Sequence, residues 1–135
     1  MALHRFEDLV AWQRARVLAR EVNRCTGSEP FRRDFGLSAQ VQRAAVSVMA
    51  NIAEGFEKRR ATEFGRYLDI AKGSLAEVRS HLYIAHDIGY VQDEDFELLM
   101  QLVDDSGKVI AGLRAAQIRL ANVPDTGHRA PGTPS

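Results

Sequence analysis

Apolar residues recur every three to four positions along this chain rather than alternating, a period that predicts helices and not strands. In the first segment, about Glu7 to Thr26, Ala11, Ala15, Leu18, Val22 and Cys25 fall on one stripe that Trp12 and Ala19 widen. The loop Gly27 to Leu37 holds Pro30 and Gly36, after which the Ser38 hydroxyl can cap a second helix running to about Phe56. A third helix starts after Thr62 as N-cap and carries Phe64, Leu68, Ala71, Leu75, Val78, Leu82 and Ala85. Gly89 suits its left-handed stop. The fourth, capped by Asp93, uses Phe96, Leu99, Val103, Ile110, Leu113 and Leu120 and ends near Ala121. Short connections make consecutive helices antiparallel neighbours, so the predicted fold is all-α, an up-down-up-down antiparallel four-helix bundle over residues 1–121. Pro124, Pro131 and Pro134 with Gly127 and Gly132 predict a flexible C-terminal tail over residues 122–135.

The second helix carries more apolar surface than one small bundle can cover. Val41, Ala44, Ala45, Val48, Met49, Ile52 and Phe56 form the expected face, and Val46, Ala50 and Ala53 continue it around the back. Only Gln40, Arg43, Ser47, Asn51 and Glu54 remain as a polar wedge. A helix covered on several sides implies a subunit interface through Val46, Ala50 and Ala53. In the wedge, Ser47, Asn51 and Glu54 are expected to hydrogen-bond between apolar helices and fix the register of helix two against its neighbours or another subunit. Gly65, Gly73, Ala76 and Ser80 on the third helix leave room for close approach of another helix.

Composition narrows the function classes. The 135 residues include 45% apolar and 27% charged positions, an ordinary globular balance, with 18 basic against 18 acidic side chains. Zero net charge weighs against a wholly basic nucleic-acid binder, yet antiparallel helices sort the charges. One end gathers Arg5, Lys58, Arg59, Arg60, Arg66, Arg114 and Arg119, and the other Glu29, Asp34, Asp87, Asp93, Glu94, Asp95 and Glu97. A single cysteine, Cys25, on an apolar stripe forms no internal disulfide, and no Cys/His set has metal-ligand spacing. With no signal-like leader and no run near 20 apolar residues, the expectation is a cytoplasmic protein without membrane, metal or cofactor.

The candidate chemistry is binding rather than catalysis. Lys58, Arg59 and Arg60 stand just before the third helix, whose free N–H groups and positive dipole end would face the same anion, with Arg5 and Arg66 nearby. Arg16, Arg20 and Arg24 repeat every four residues opposite the first helix's stripe, where like charges call for a counter-charge from a partner. Asp93, Glu94, Asp95 and Glu97 are explained by the dipole at the start of the fourth helix. His4, His81, His86 and His128 are scattered, Cys25 has no base, and no phosphate loop or nucleophile turn occurs, so no enzyme is expected.

Three stretches carry a family likeness: Phe6-Glu7-Asp8-Leu9 with Trp12-Gln13, then Arg43 to Ser47 running into Asn51-Ile52-Ala53-Glu54-Gly55-Phe56, and Ile70 to Glu77. Together, over about Arg5 to Ala121, the chain resembles the four-helix-bundle proteins encoded by intervening sequences of bacterial 23S ribosomal RNA genes. The accessory variability proteins of diversity-generating retroelements resemble the same group. The resemblance implies a ring-like homopentamer, with RNA or DNA binding and a reverse-transcriptase or other protein partner in the retroelement branch. This chain departs from it at Met49, where many relatives carry proline, and in its neutral charge. The resulting expectation is a non-enzymatic oligomeric bundle that contacts nucleic-acid phosphate. The alternative is a structural or protein-interaction oligomer that docks through Arg16, Arg20 and Arg24.

Overall fold

The structure, a computed structural model, describes residues 4–123. Its four helices are α1 (Val10–Thr26), α2 (Phe35–Glu57), α3 (Ala61–Asp87) and α4 (Asp93–Asn122), with 3-10 turns at Phe6–Asp8 and Phe31–Arg33. Of the predicted tail, Asn122 still belongs to α4, and residues 124–135 lie outside the described residues. α3 has 27 residues and α4 has 30, so at 1.5 Å per residue the bundle is about 40–45 Å long. Each helix packs on the next, and α4 closes the square against α1.

The predicted stripes form the core. Ala11, Ala15, Leu18, Val22 and Cys25 of α1 are buried, as is the whole α3 series from Phe64 to Ala85. From α4, Leu99, Val103 and Ile110 join them. Polar bonds pin neighbouring helices at the margins of this core. Gln42 donates to the Thr26 hydroxyl at 2.6 Å, and the Ser47 and Ser74 hydroxyls meet at 2.8 Å. Arg24 reaches Asp95 at 2.9 Å, and Arg114 pairs with Asp69.

The caps differ from expectation. α2 begins three residues before Ser38, because the Asp34 carboxylate accepts from the Leu37 N–H at 3.0 Å and starts the helix first. Ser38 is then inside the first turn, and Phe35 is left 79% exposed. Thr62 also lies inside its helix, whose N-cap is Arg60 in extended geometry, and Gln92 rather than Asp93 precedes α4. The first helix starts later than Glu7, since Phe6–Asp8 closes a 3-10 turn before Val10. Gly89 has φ +85°, the left-handed stop expected after α3, and lets the Tyr90 N–H return to the Ala85 carbonyl at 2.8 Å. α2 runs without interruption through Met49.

Candidate nucleic-acid interface

The α2–α3 connection is short because two aromatic rings clamp its base. Phe56 and Phe64 meet edge to face, with centroids 6.1 Å apart. Arg59 takes φ +61°, an uncommon conformation for a non-glycine residue, and its guanidinium stabilises the turn from both sides. It donates to the His4 carbonyl at 3.0 Å and lies 4.6 Å from the Phe56 ring centroid. Lys58 rests 5.7 Å from the Tyr67 ring. Arg60 enters α3 in an extended conformation, and no side chain caps the helix. The first amides of α3 therefore point outward without a side-chain acceptor, beside a guanidinium that makes no ion pair among the described residues.

Two grooves open at this end. One, of about 280 Å³, is lined by Phe56, Arg59, Arg60, Ala61, Phe64, Gln117 and Leu120. The other, of about 290 Å³, lies between the start of α3 and the end of α4. Its lining includes Arg66, Asp69, Arg114 and Gln117. Ala61 and Gln117 border both. The structure thus brings Arg59, Arg60 and Arg66 around one corner of the bundle. Arg5 is engaged separately with Glu7 at 2.8 Å, a hydrogen bond that holds the Glu7 carboxyl below its usual range.

The arginine ridge of α1 is partly neutralised from within, contrary to the expectation of an unmet charge. Arg24 bonds Asp95 and Glu21, each at 2.9 Å, which strengthens its protonated form. Arg20 lies 3.9 Å from Glu21, and Arg16 lies 5.5 Å from the Trp12 ring centroid. Asp95 does not show in the sequence as the partner of Arg24 because it is 71 residues away.

In the wedge of α2, Asn51 donates to the Ser47 carbonyl at 2.8 Å and to its hydroxyl at 3.0 Å, completing the Ser47–Ser74 link to α3. Ser47 and Asn51 are half-buried, whereas Glu54 is exposed and takes no part in this bond set. Within one copy, then, Glu54 fixes no register between α2 and its neighbours, and its expected role against another subunit stands as a proposal. Behind the wedge Val46 is 55% exposed, Ala50 is exposed and Ala53 half-buried, so the fold of one copy leaves the predicted interface residues uncovered.

Cys25 is 6% exposed, and burial first, then the nearby Asp95, pushes its thiol up to about 11. We expect a thiol-reactive disulfide at pH 8 to leave Cys25 unmodified until denaturant is added. Rapid labelling of the folded protein would contradict this placement. His86 stacks on Phe96 at 4.2 Å and meets Asp93 at 2.7 Å. No group of three His, Cys, Asp or Glu side chains among the described residues could hold a metal ion, and no helix there is long and apolar enough to cross a membrane.

Sequence reasoning missed three cations. Lys72 and Arg79 of α3 and Lys108 of α4 line a groove of about 420 Å³ on the α3–α4 face. Lys72 and Arg79 are seven residues apart, a helical repeat that the sequence did offer. Lys108 joins them only through the antiparallel register that sets Leu75 against Gly107.

Comparison with known proteins agrees with the bundle. A protein of unknown function from the S23 ribosomal protein family of Bacteroides thetaiotaomicron VPI-5482 has a similar crystal structure, with a TM-score of 0.71 and 20% sequence identity. The alignment covers 78% of this chain and 98% of that one, which shows a shared fold. No curated protein matches the sequence. The family described as 23S rRNA-intervening sequence protein matches residues 7–112, which take in the three motifs except Phe6 and all of α1, α2 and α3. This chain belongs to the 23S rRNA-intervening sequence protein family.

Proposed function

We propose that this protein is a non-enzymatic, self-assembling helical bundle that binds RNA or DNA through phosphate, as an accessory or scaffold factor. The observation that supports it most directly is the uncapped start of α3 beside Arg60 and Arg66, where outward amides and free guanidinium groups favour an anion. Arg59 flanks that position against the Phe56 ring, Lys58 rests on the Tyr67 ring in a separate groove with Glu54 and Glu57, and Arg5, already engaged by Glu7, contributes least. Nothing in this arrangement reads base edges, so affinity should depend on salt far more than on sequence. Labelled RNA and duplex DNA titrated at several salt concentrations test it. Affinity is expected to fall steeply as salt rises, with Lys58→Gln/Arg60→Gln weaker throughout. Absence of binding at low salt would reject the reading.

A second reading, a structural oligomer with a protein partner such as a polymerase and no nucleic acid, is favoured by the uncovered α2 face around Val46. Arg16 and Arg20, exposed on α1, would then form the docking ridge with Arg24, which Asp95 and Glu21 already engage. Self-assembly belongs to both readings, and the homopentamer implied by the resemblance is the expected stoichiometry.

A further inference from the structure

We infer that the α3–α4 groove is a track for single-stranded nucleic acid, with phosphates on Lys72, Arg79 and Lys108 and the strand lying along the bundle rather than only across its end. The inference rests on the nucleic-acid reading above and names the form of the ligand and the surface that carries it. Three observations converge on it. The cations stand on both walls of the groove, and among the described residues none has a carboxylate within ion-pair distance. Elsewhere arginines are neutralised in place: Arg14 by Asp105, Arg24 by Asp95 and Glu21, and Arg32 and Arg33 by Glu29. In a chain of zero net charge these three stay uncompensated, as Arg60 and Arg66 do at the start of α3, and Asp104 is the one carboxylate that lines the groove.

The second observation is the floor. Between the charged walls lie Leu75, Ala76, Val103, Gly107 and Ala111, and the small residues keep the groove open. A duplex presents phosphate ridges with its bases stacked inside, so it has no apolar surface to place against that floor. A single strand exposes bases and sugars that can settle on it while its phosphates meet the walls. No aromatic side chain lines this groove, so stacking is weak and sequence preference should be small.

Continuity is the third. Along the same helix pair toward the α3 N-terminus, the groove containing Arg66 and Arg114 follows, with Arg114 held against Asp69. From Arg66 to Arg79 the separation along α3 is about 20 Å at 1.5 Å per residue, long enough for several nucleotides.

The test uses the full chain and fluorescent 30-nucleotide single strands of RNA and DNA, with duplexes of equal length. Lys72→Gln/Arg79→Gln/Lys108→Gln changes only exposed positions, so its helical melting profile should match the wild type. Loss of three phosphate contacts should weaken single-strand binding about 100-fold at 0.1 M salt and reduce the log–log salt slope by about 2. If wild type binds and only Lys58→Gln/Arg60→Gln weakens it, the track is rejected while the nucleic-acid reading stands. If wild type binds no nucleic acid, both fall. Duplex binding as tight as single-strand binding would overturn the single-strand assignment. A lower assembly mass in the triple variant would show a groove that seats another copy, and would overturn the track as well.

Discussion

Gly55→Ala is expected to destabilise the bundle by about 1–2 kcal/mol and Gly55→Val by more than about 3 kcal/mol, seen as successive losses of urea midpoint. Gly55 sits where α2 and α3 approach closely. A β-carbon there would be 2.7 Å from the Tyr67 Cβ and 2.9 Å from the Phe64 Cδ1. The Tyr67 Cβ is bonded to the backbone and cannot rotate away, so the helices would have to part. Alanine in a helix interior ordinarily gains up to about 1 kcal/mol over glycine, and the net loss is what the clash leaves after that gain. Gly73→Ala is the control. Nothing lies within 4 Å of its added carbon, so the same substitution should be neutral or stabilising by up to about 1 kcal/mol. If Gly55→Ala is as stable as Gly73→Ala, the close approach is wrong.

This contact accounts for one residue of the Asn51 to Phe56 motif. Gly55 lets α3 come close, Phe56 caps the gap against Phe64, and four residues later Arg60 is the N-cap of the next helix. The position of the candidate phosphate site therefore depends on a glycine that makes no polar contact itself. Gly55→Val should displace the connection and weaken nucleic-acid binding along with stability.

The helices and their buried stripes were legible because burial imposes a 3.6-residue period that a single sequence displays. Leu120 marks the limit of that signal. It continues the α4 pattern, but at 62% exposure it lies in the last turn of a helix longer than its neighbour, bordering the Arg60 groove instead of the core. The caps were less legible because several side chains in a row can each satisfy the first amides. Asp34 lies four residues before Ser38, and the earlier acceptor sets the start of α2. The candidate site was legible as residue types but not as free or engaged charges. Whether an arginine is available depends on partners such as Asp95 for Arg24, His4 for Arg59 and Asp69 for Arg114, which are 71, 55 and 45 residues away. The groove cations were hidden for the same reason, since Lys108 joins Lys72 and Arg79 only after α3 and α4 pack antiparallel.

Val46→Glu/Ala50→Glu should convert an assembly into monomers of 15.0 kDa by light scattering at micromolar concentration, without loss of helical stability. Phe35, Ala39, Val46, Ala50 and Ala53 recur at helical spacing along one side of α2, away from its buried face. Phe35 is 79% and Val46 55% exposed, Ala50 is exposed, and Ala39 and Ala53 are half-buried, so one copy leaves the stripe facing solvent. Its polar flank is already used, because Asn51 donates to Ser47 and the Ser47 hydroxyl meets Ser74 of α3, and the apolar side remains without a covering element. Such a surface gains from association through apolar burial. Two carboxylates buried there without partners would cost several kcal/mol, enough to weaken association by more than about 100-fold. Within the monomer the same side chains reach water, where substitutions ordinarily change stability by less than about 0.5 kcal/mol. A wild-type mass of 15.0 kDa would remove the need for an interface. An undiminished mass in the double variant would move that interface to another face.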